Sequence, residues 1–164
     1  MLQARGLDAT ESGLILSVSY ISQTVTGLLA PIVAGKRRDQ RLIVAAMVVL
    51  TAFGLLGFVY APVALLKIVA FMLGIGQGGA FGLALLFFAL RTPDPHSATQ
   101  LSALAQTVGY VFGGFAGPFA VGVIYDWAGS WTVVSLFYLA VSLASLLAGV
   151  GAGRARTVRS AGAA

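Results

Sequence analysis

Polar residues in this chain fall into short clusters, and apolar stretches of about 20 residues or more separate them. Five stretches stand out, at 12–34, 42–60, 63–90, 98–124 and 131–151. No charged residue occurs between Leu42 and Leu66, or between Ser97 and Tyr125. Runs of this length predict helices that cross a bilayer, because hydrocarbon offers an open backbone no hydrogen-bond partner. The breaks are short: GKRRDQR at 35–41, the Ala61-Pro62 turn, RTPDPHS at 91–97 and YDWAGS at 125–130. Two of them contain proline, which disfavours helix continuation. Pro31 and Pro118 lie inside apolar runs, where each is expected to kink its helix or loosen the last turns.

Composition sharpens the class. Apolar residues make up 59% of the 164 and charged residues 9%, against roughly 45–50% and about 25% in soluble domains. So few charges cannot clothe a soluble core of this size. The expected fold is an all-α integral membrane bundle over 1–152, followed by a small, basic and disordered tail at 153–164. The N-terminus MLQARGLDATES is too polar for a signal peptide, so the first apolar run reads as structure. With no cysteine, no disulfide framework can form.

A net charge of +5 raises the question of nucleic acid, but the placement of the basic residues answers it otherwise. Lys36, Arg37, Arg38, Arg41, Arg91, Arg154, Arg156 and Arg159 fall on one side of five alternating spans, and only Arg5 and Lys67 on the other. The positive-inside rule makes the first side cytoplasmic and predicts a multi-pass protein of a bacterial inner membrane with a cytoplasmic C-terminus. Lys67, near a span start, can snorkel to the interface.

Two stretches 87 residues apart share a skeleton. Pro31, Gly35 and Asp39 recur as Pro118, Gly122 and Asp126, and Gly27 recurs as Gly114. The first copy closes a span running one way and the second a span running the other, the mark of an inverted repeat in transporter folds. The second copy's span is preceded by another span within its unit. By the same logic a helix should precede the first copy, so the chain reads as five of the six helices of a 3+3 inverted repeat, with the first helix missing.

The loop Gly35-Lys-Arg-Arg-Asp39-Gln40-Arg41 is similar to the Gly-x-x-x-Asp-Arg-x-x-Arg signature between helix pairs of the major facilitator superfamily, with Gln40 where the signature has Arg. GIGQGGAFGLAL (74–85), LRTPDPHSATQLSALAQTVGY (90–110) and GPFAVGVIYDWAGSW (117–131) resemble the C-terminal half of the cyanate and nitroimidazole transporter family. The resemblance covers essentially the whole chain and that family's last five helices. It implies a central cavity between two halves, faced here by the first, third and fourth spans, with the second and fifth facing lipid. It also implies a small anionic or polar substrate, and an N-terminal transporter half as partner.

Candidate binding residues follow from polar stripes. Ser19, Gln23 and Thr26 share one helix face, and Gln106, Tyr110 and Gly113 occupy the equivalent positions 87 residues on. Polar groups are costly in lipid, so such a stripe faces water or protein. Gln106, Tyr110, Gln23, Gln77 and Ser19 therefore either contact substrate and cavity water or join interhelical contacts; Tyr20 reads as an aromatic packing residue. Gly35, with Arg37, Arg38, Asp39 and Arg41, and its partners Pro118, Gly122 and Asp126, form the structural motif. There Gly35 is expected to permit close helix approach, and the aspartates to cap helices or make gating ion pairs.

Gly74, Gly78 and Gly82, four apart, would let another helix approach closely. The same segment matches the dinucleotide fingerprint Gly-x-Gly-x-x-Gly, but that motif needs a soluble strand–turn–helix unit, which a 28-residue apolar run does not supply. His96, the single histidine, reads as a solvated loop residue. No metal spacing, cofactor motif or nucleophile–base pair is visible, so no enzyme, metal or cofactor is expected. No Asp, Glu, Lys or Arg lies deep in a span, so any charge coupling would come from elsewhere. The two functional expectations are a secondary-transporter fragment, inactive without its other half, and a truncated membrane protein that assembles through glycine faces without transporting.

Overall fold

The computed structural model describes Leu2 and residues 5–154; most of the basic tail, from 155 onward, lies outside the described residues. Helix α1 (Ala9–Gly35) begins at a capping box: the Glu11 N–H donates to Asp8 Oδ1 at 2.7 Å, and the Asp8 N–H donates to Glu11 Oε2 at 3.4 Å. Helix α2 (Arg41–Tyr60) stops before Ala61-Pro62, because the residue ahead of a proline is pushed to extended geometry. A 3₁₀ turn at Val63–Leu65 leads into α3 (Leu66–Arg91), which ends at an extended Thr92 before Pro93.

The fourth span is continuous but not uniform. Helix α4 (Pro95–Gly109) starts at Asp94, whose Oδ1 accepts the Ser97 N–H at 2.9 Å, with Pro95 in the first turn where its missing N–H costs nothing. A π-helical segment (Tyr110–Ala116) follows, then α5 (Gly117–Ala128). Gly129, at φ 62°, makes the turn to α6 (Trp131–Ala152), capped by Ser130. The five spans run 20 to 34 residues, each apolar enough to cross a membrane. Among the described residues there is no strand. Large apolar side chains such as Leu28, Phe112, Phe119 and Leu147 point outward, the reverse of a soluble core and the expected finish for a surface solvated by lipid.

Helix α3 is the axis of the packing, and its glycines explain why. A Cβ at Gly74 would collide with Ser22 Oγ and the Ser19 carbonyl, and one at Gly78 with the Gln23 carbonyl. At Gly82 a Cβ would strike the Gly27 carbonyl and lie 2.8 Å from Pro31 Cγ. Pro31 has no N–H, so the Gly27 carbonyl lacks its usual donor four residues on, and the Gly82 backbone sits against it instead. A second face of α3 meets α2: a Cβ at Gly76 would be 2.5 Å from Thr51 Oγ1, while Gly79 abuts the Met47 sulfur. Small residues at both contacts let the backbones close to a distance that lipid cannot match by solvation.

Helix α6 packs on α2, where Val44 reaches over Gly149 and the Tyr60 and Ser135 hydroxyls pair at 2.8 Å. One buried cluster (Ala30, Ala34, Val44, Val48, Leu83, Phe87) fills the basic end of α1–α3, and a smaller one (Ile15, Leu66, Ala70) the other end. There Arg5 Nη1 donates to the Phe58 carbonyl at 3.0 Å and Nη2 to the Ala61 carbonyl, satisfying groups that the end of α2 leaves open.

Three local expectations are corrected. His96 stands in the first turn of α4, with Nε2 2.9 Å from Gln100 Nε2 one turn on, because Asp94-Pro95 starts a helix there. Helix α5 runs through Asp126, so that carboxylate is exposed near a helix C-terminus, where the dipole disfavours it, and among the described residues it caps no helix. Among the described residues a Cβ at Gly35 would meet open space, so no close helix approach uses it there.

Candidate functional site

The polar candidates separate into two groups. Ser19 is buried against α3, and the Gln23 backbone forms the contact with Gly78, so this stripe lies along the α1–α3 contact. Ser22 and Thr26, on the same side, turn their hydroxyls back onto α1 carbonyls at 2.8–2.9 Å. Gln77 is half-buried on α3 between glycines that contact α1 and α2. Tyr20 is 65% exposed, on the outer side of α1.

Gln106 and Tyr110 stand elsewhere, on the cleft between α3 and α4. One recess there, of about 380 Å³, is lined by Leu85, Phe88, Thr99, Ser102, Ala103 and Gln106. The next, about 390 Å³, is lined by Phe81, Leu85, Phe88, Gln106, Gly109 and Tyr110. Gln106 borders both. Its Nε2 donates to Ser102 Oγ at 2.8 Å, which fixes the amide orientation and leaves the carbonyl oxygen without a donor among the described residues. Three aromatic rings and one oriented amide, with no charged side chain, make a surface suited to stacking and neutral hydrogen bonding. The π-helical segment begins at Tyr110 itself. Such segments gather at functional positions because they re-aim side chains that a regular helix would point elsewhere.

At the basic end, Asp39 acts locally. Its Oδ1 accepts the Arg41 N–H at 2.9 Å, and its Oδ2 lies 3.6 Å from Arg41 Nε, with both side chains largely exposed. This starts α2 and reaches no other helix. Arg37 and Arg38 are exposed. Gln40, whose position breaks the signature, is 2% exposed and ties together several helix ends. Among the described residues no cluster of His, Asp and Glu is arranged to hold a metal ion.

The Major Facilitator Superfamily family model matches residues 1–162. The chain belongs to that superfamily. It is a multi-pass membrane protein of a transporter family and not an enzyme. It is 33% identical over 96% of its length to an uncharacterized transporter of Bacillus subtilis and 30% identical over 97% to the 2-nitroimidazole transporter of Escherichia coli. To the cyanate transport protein of Escherichia coli it is 32% identical over 81%. It spans 39%, 40% and 34% of those three proteins. A putative anionic 4-hydroxy-benzoate permease of Thauera aromatica is 42% identical over 68% of the chain, a match that covers 67% of that protein. No solved structure matched the chain.

Within this superfamily member, sequence reasoning missed the π segment and the role of Gln40. The first had a signal in Gly113-Gly114 ahead of Pro118, two flexible residues and a missing donor within six positions. The second had none for its long-range bonds, since Gln40 meets Arg91 and Gly153 51 and 113 residues away.

Proposed function

We propose that the chain is the larger part of one helical half of a secondary transporter, which moves a small polar or anionic solute, cyanate- or nitroimidazole-like, by alternating access. The observation that carries this is the α3–α4 cleft, where Gln106 is held by Ser102 beside Phe81, Phe88 and Tyr110. Stacking faces plus a neutral amide favour a small planar solute, and the names of the relatives point to solutes of that kind. The basic end, with Lys36, Arg37, Arg38, Arg41 and Arg91, is cytoplasmic in this reading. The second unit of the 3+3 repeat is complete in α3, α4–α5 and α6. In this reading a helix ahead of α1 completes the first unit and covers the open faces of α4 and α5. Transport then requires that helix and a second six-helix bundle, and the chain alone carries nothing across.

Assembly through the glycines of α3 is disfavoured, because α1 and α2 already occupy them. The test is uptake by the complete parent transporter with labelled cyanate, 2-nitroimidazole and 4-hydroxybenzoate. Gln106→Ala is expected to lower uptake of the transported solute by about tenfold, the worth of one buried hydrogen bond to a ligand. Gln23→Ala should change it by less than about threefold. Full uptake by Gln106→Ala, or uptake of none of the three solutes, would overturn the reading.

A further inference from the structure

Four helix ends meet at the basic end, and one amide and one guanidinium join them. The Gln40 Nε2 donates to the Ala34 carbonyl at 3.4 Å, which also accepts the Arg37 N–H at 3.0 Å, and to the Arg37 carbonyl just beyond the end of α1. The Gln40 Oε1 accepts from Arg91 Nη2 at 2.7 Å. The same Nη2 donates to the Gly153 carbonyl at 3.3 Å, and Arg91 Nε to the Ala152 carbonyl at 3.3 Å, both at the end of α6. The Gln40 backbone N–H also donates to the Gly153 carbonyl at 3.4 Å. Beneath lies Phe87, with the guanidinium carbon 5.6 Å from its ring centre. The helices α1, α3 and α6 all end here, each presenting a partial negative charge, and Arg91 is the cation among them.

The signature resembled by residues 35–41 has Arg where this chain has Gln40. An arginine at 40 would offer donors only, and it would face a second guanidinium with no acceptor between them. A glutamine gives two donors to α1 and one acceptor to Arg91. We propose that Gln40 and Arg91 are a matched positioning pair, with a neutral amide at position 40, where the signature has a cation, and a cation at the end of α3. The pair clasps α1, α2, α3 and α6 into one body at the basic end. The span α4–α5 takes no part in it and starts just beyond Arg91, free to shift against the clasped helices.

The chain contains no cysteine, so one introduced thiol reports its own site. Ala34 is fully buried next to the clasp, and Ala70 is fully buried in the cluster at the opposite end. Maleimide labelling of Ala34→Cys and Ala70→Cys is measured in the detergent-solubilised full chain. Adding Gln40→Arg should speed labelling at position 34 by about tenfold or more, as expected for a buried donor left without an acceptor, and leave position 70 within about twofold. The exchange Gln40→Arg with Arg91→Gln should bring position 34 back to within about threefold of the parent. Equal acceleration at both positions would mean general loss of structure and would overturn a local clasp. No acceleration by Gln40→Arg, or an exchange variant no better than the single one, would overturn the pairing.

Discussion

The spans α1 and α4–α5 carry the same skeleton, yet one is wedged into the molecule and the other lies along its side. Helix α1 buries Ile15, Ser19, Ser22, Ala30 and Ala34; α4 and α5 bury no described residue. Gly27 and Pro31 are in contact with α3, whereas a Cβ at Gly109, Gly113, Gly114, Gly117 or Gly122 would meet open space. Pro31 sits in an unbroken α-helix because Gly82 presses on the carbonyl it leaves without a donor. Pro118 follows a π-helical segment and is exposed. A glycine–proline skeleton therefore confers only the capacity for close approach. What uses it on α1 is the glycine row of α3, and α4–α5 has no such partner within this chain.

The contrast breaks most sharply at the glycines. Gly78→Leu should cost more than about 4 kcal/mol, since the side chain must displace the α1 backbone and not a flexible tip. Gly122→Leu should cost less than about 0.5 kcal/mol in the chain as it stands. Thermal unfolding in detergent, followed by tryptophan fluorescence, separates the two; equal losses would mean that α5 is covered after all.

A smaller effect is expected at the prolines. Pro118→Ala returns a donor to the Gly114 carbonyl, and the helix should gain about 1 kcal/mol there, read as roughly fivefold slower amide exchange across 110–118. Pro31→Ala should bring no such gain, because the Gly82 backbone occupies that carbonyl and the ring contact is lost.

The least effect belongs to the start of α4. The Ser97 N–H and hydroxyl bond to the ionised Asp94 carboxylate and hold its pKa below the usual 3.8. A depressed acid adds stability that is present above its unfolded value and lost as pH falls through the lower folded value. Fraying of α4 should therefore appear only below about pH 4. Asp94→Asn should remove that acid dependence, as measured by exchange of the 97–100 amides; fraying already under way at pH 6 would contradict it.

Much of this architecture was legible along the chain because lipid imposes a strict rule on backbone polar groups. The five apolar runs appear as five long helical spans, and the spacing of Gly74, Gly78 and Gly82 announced a close helix contact. Which helix would answer it was not legible, since Ser19, Gln23 and Thr26 make a stripe equally suited to water or to a neighbour. Gln106 and Tyr110 occupy the matching positions and yet line a cleft, a difference that arises only in tertiary packing. His96 could have been placed by reading Asp94-Pro95 as a helix cap and first turn. The join between Gln40 and Arg91 spans 51 residues with no local trace.

The turn at Gly129 and Ser130 is the shortest link between helical spans apart from Ala61-Pro62, and Tyr125 and Trp131 stack across it with ring centres 4.4 Å apart. Helix α5 is thus hinged to α6 at one rim, while α4 hangs from the Thr92–Asp94 strap at the other. With both rims tethered, the π-helical segment is where the fourth span departs from a regular helix, at the edge of the recess that Gln106 lines.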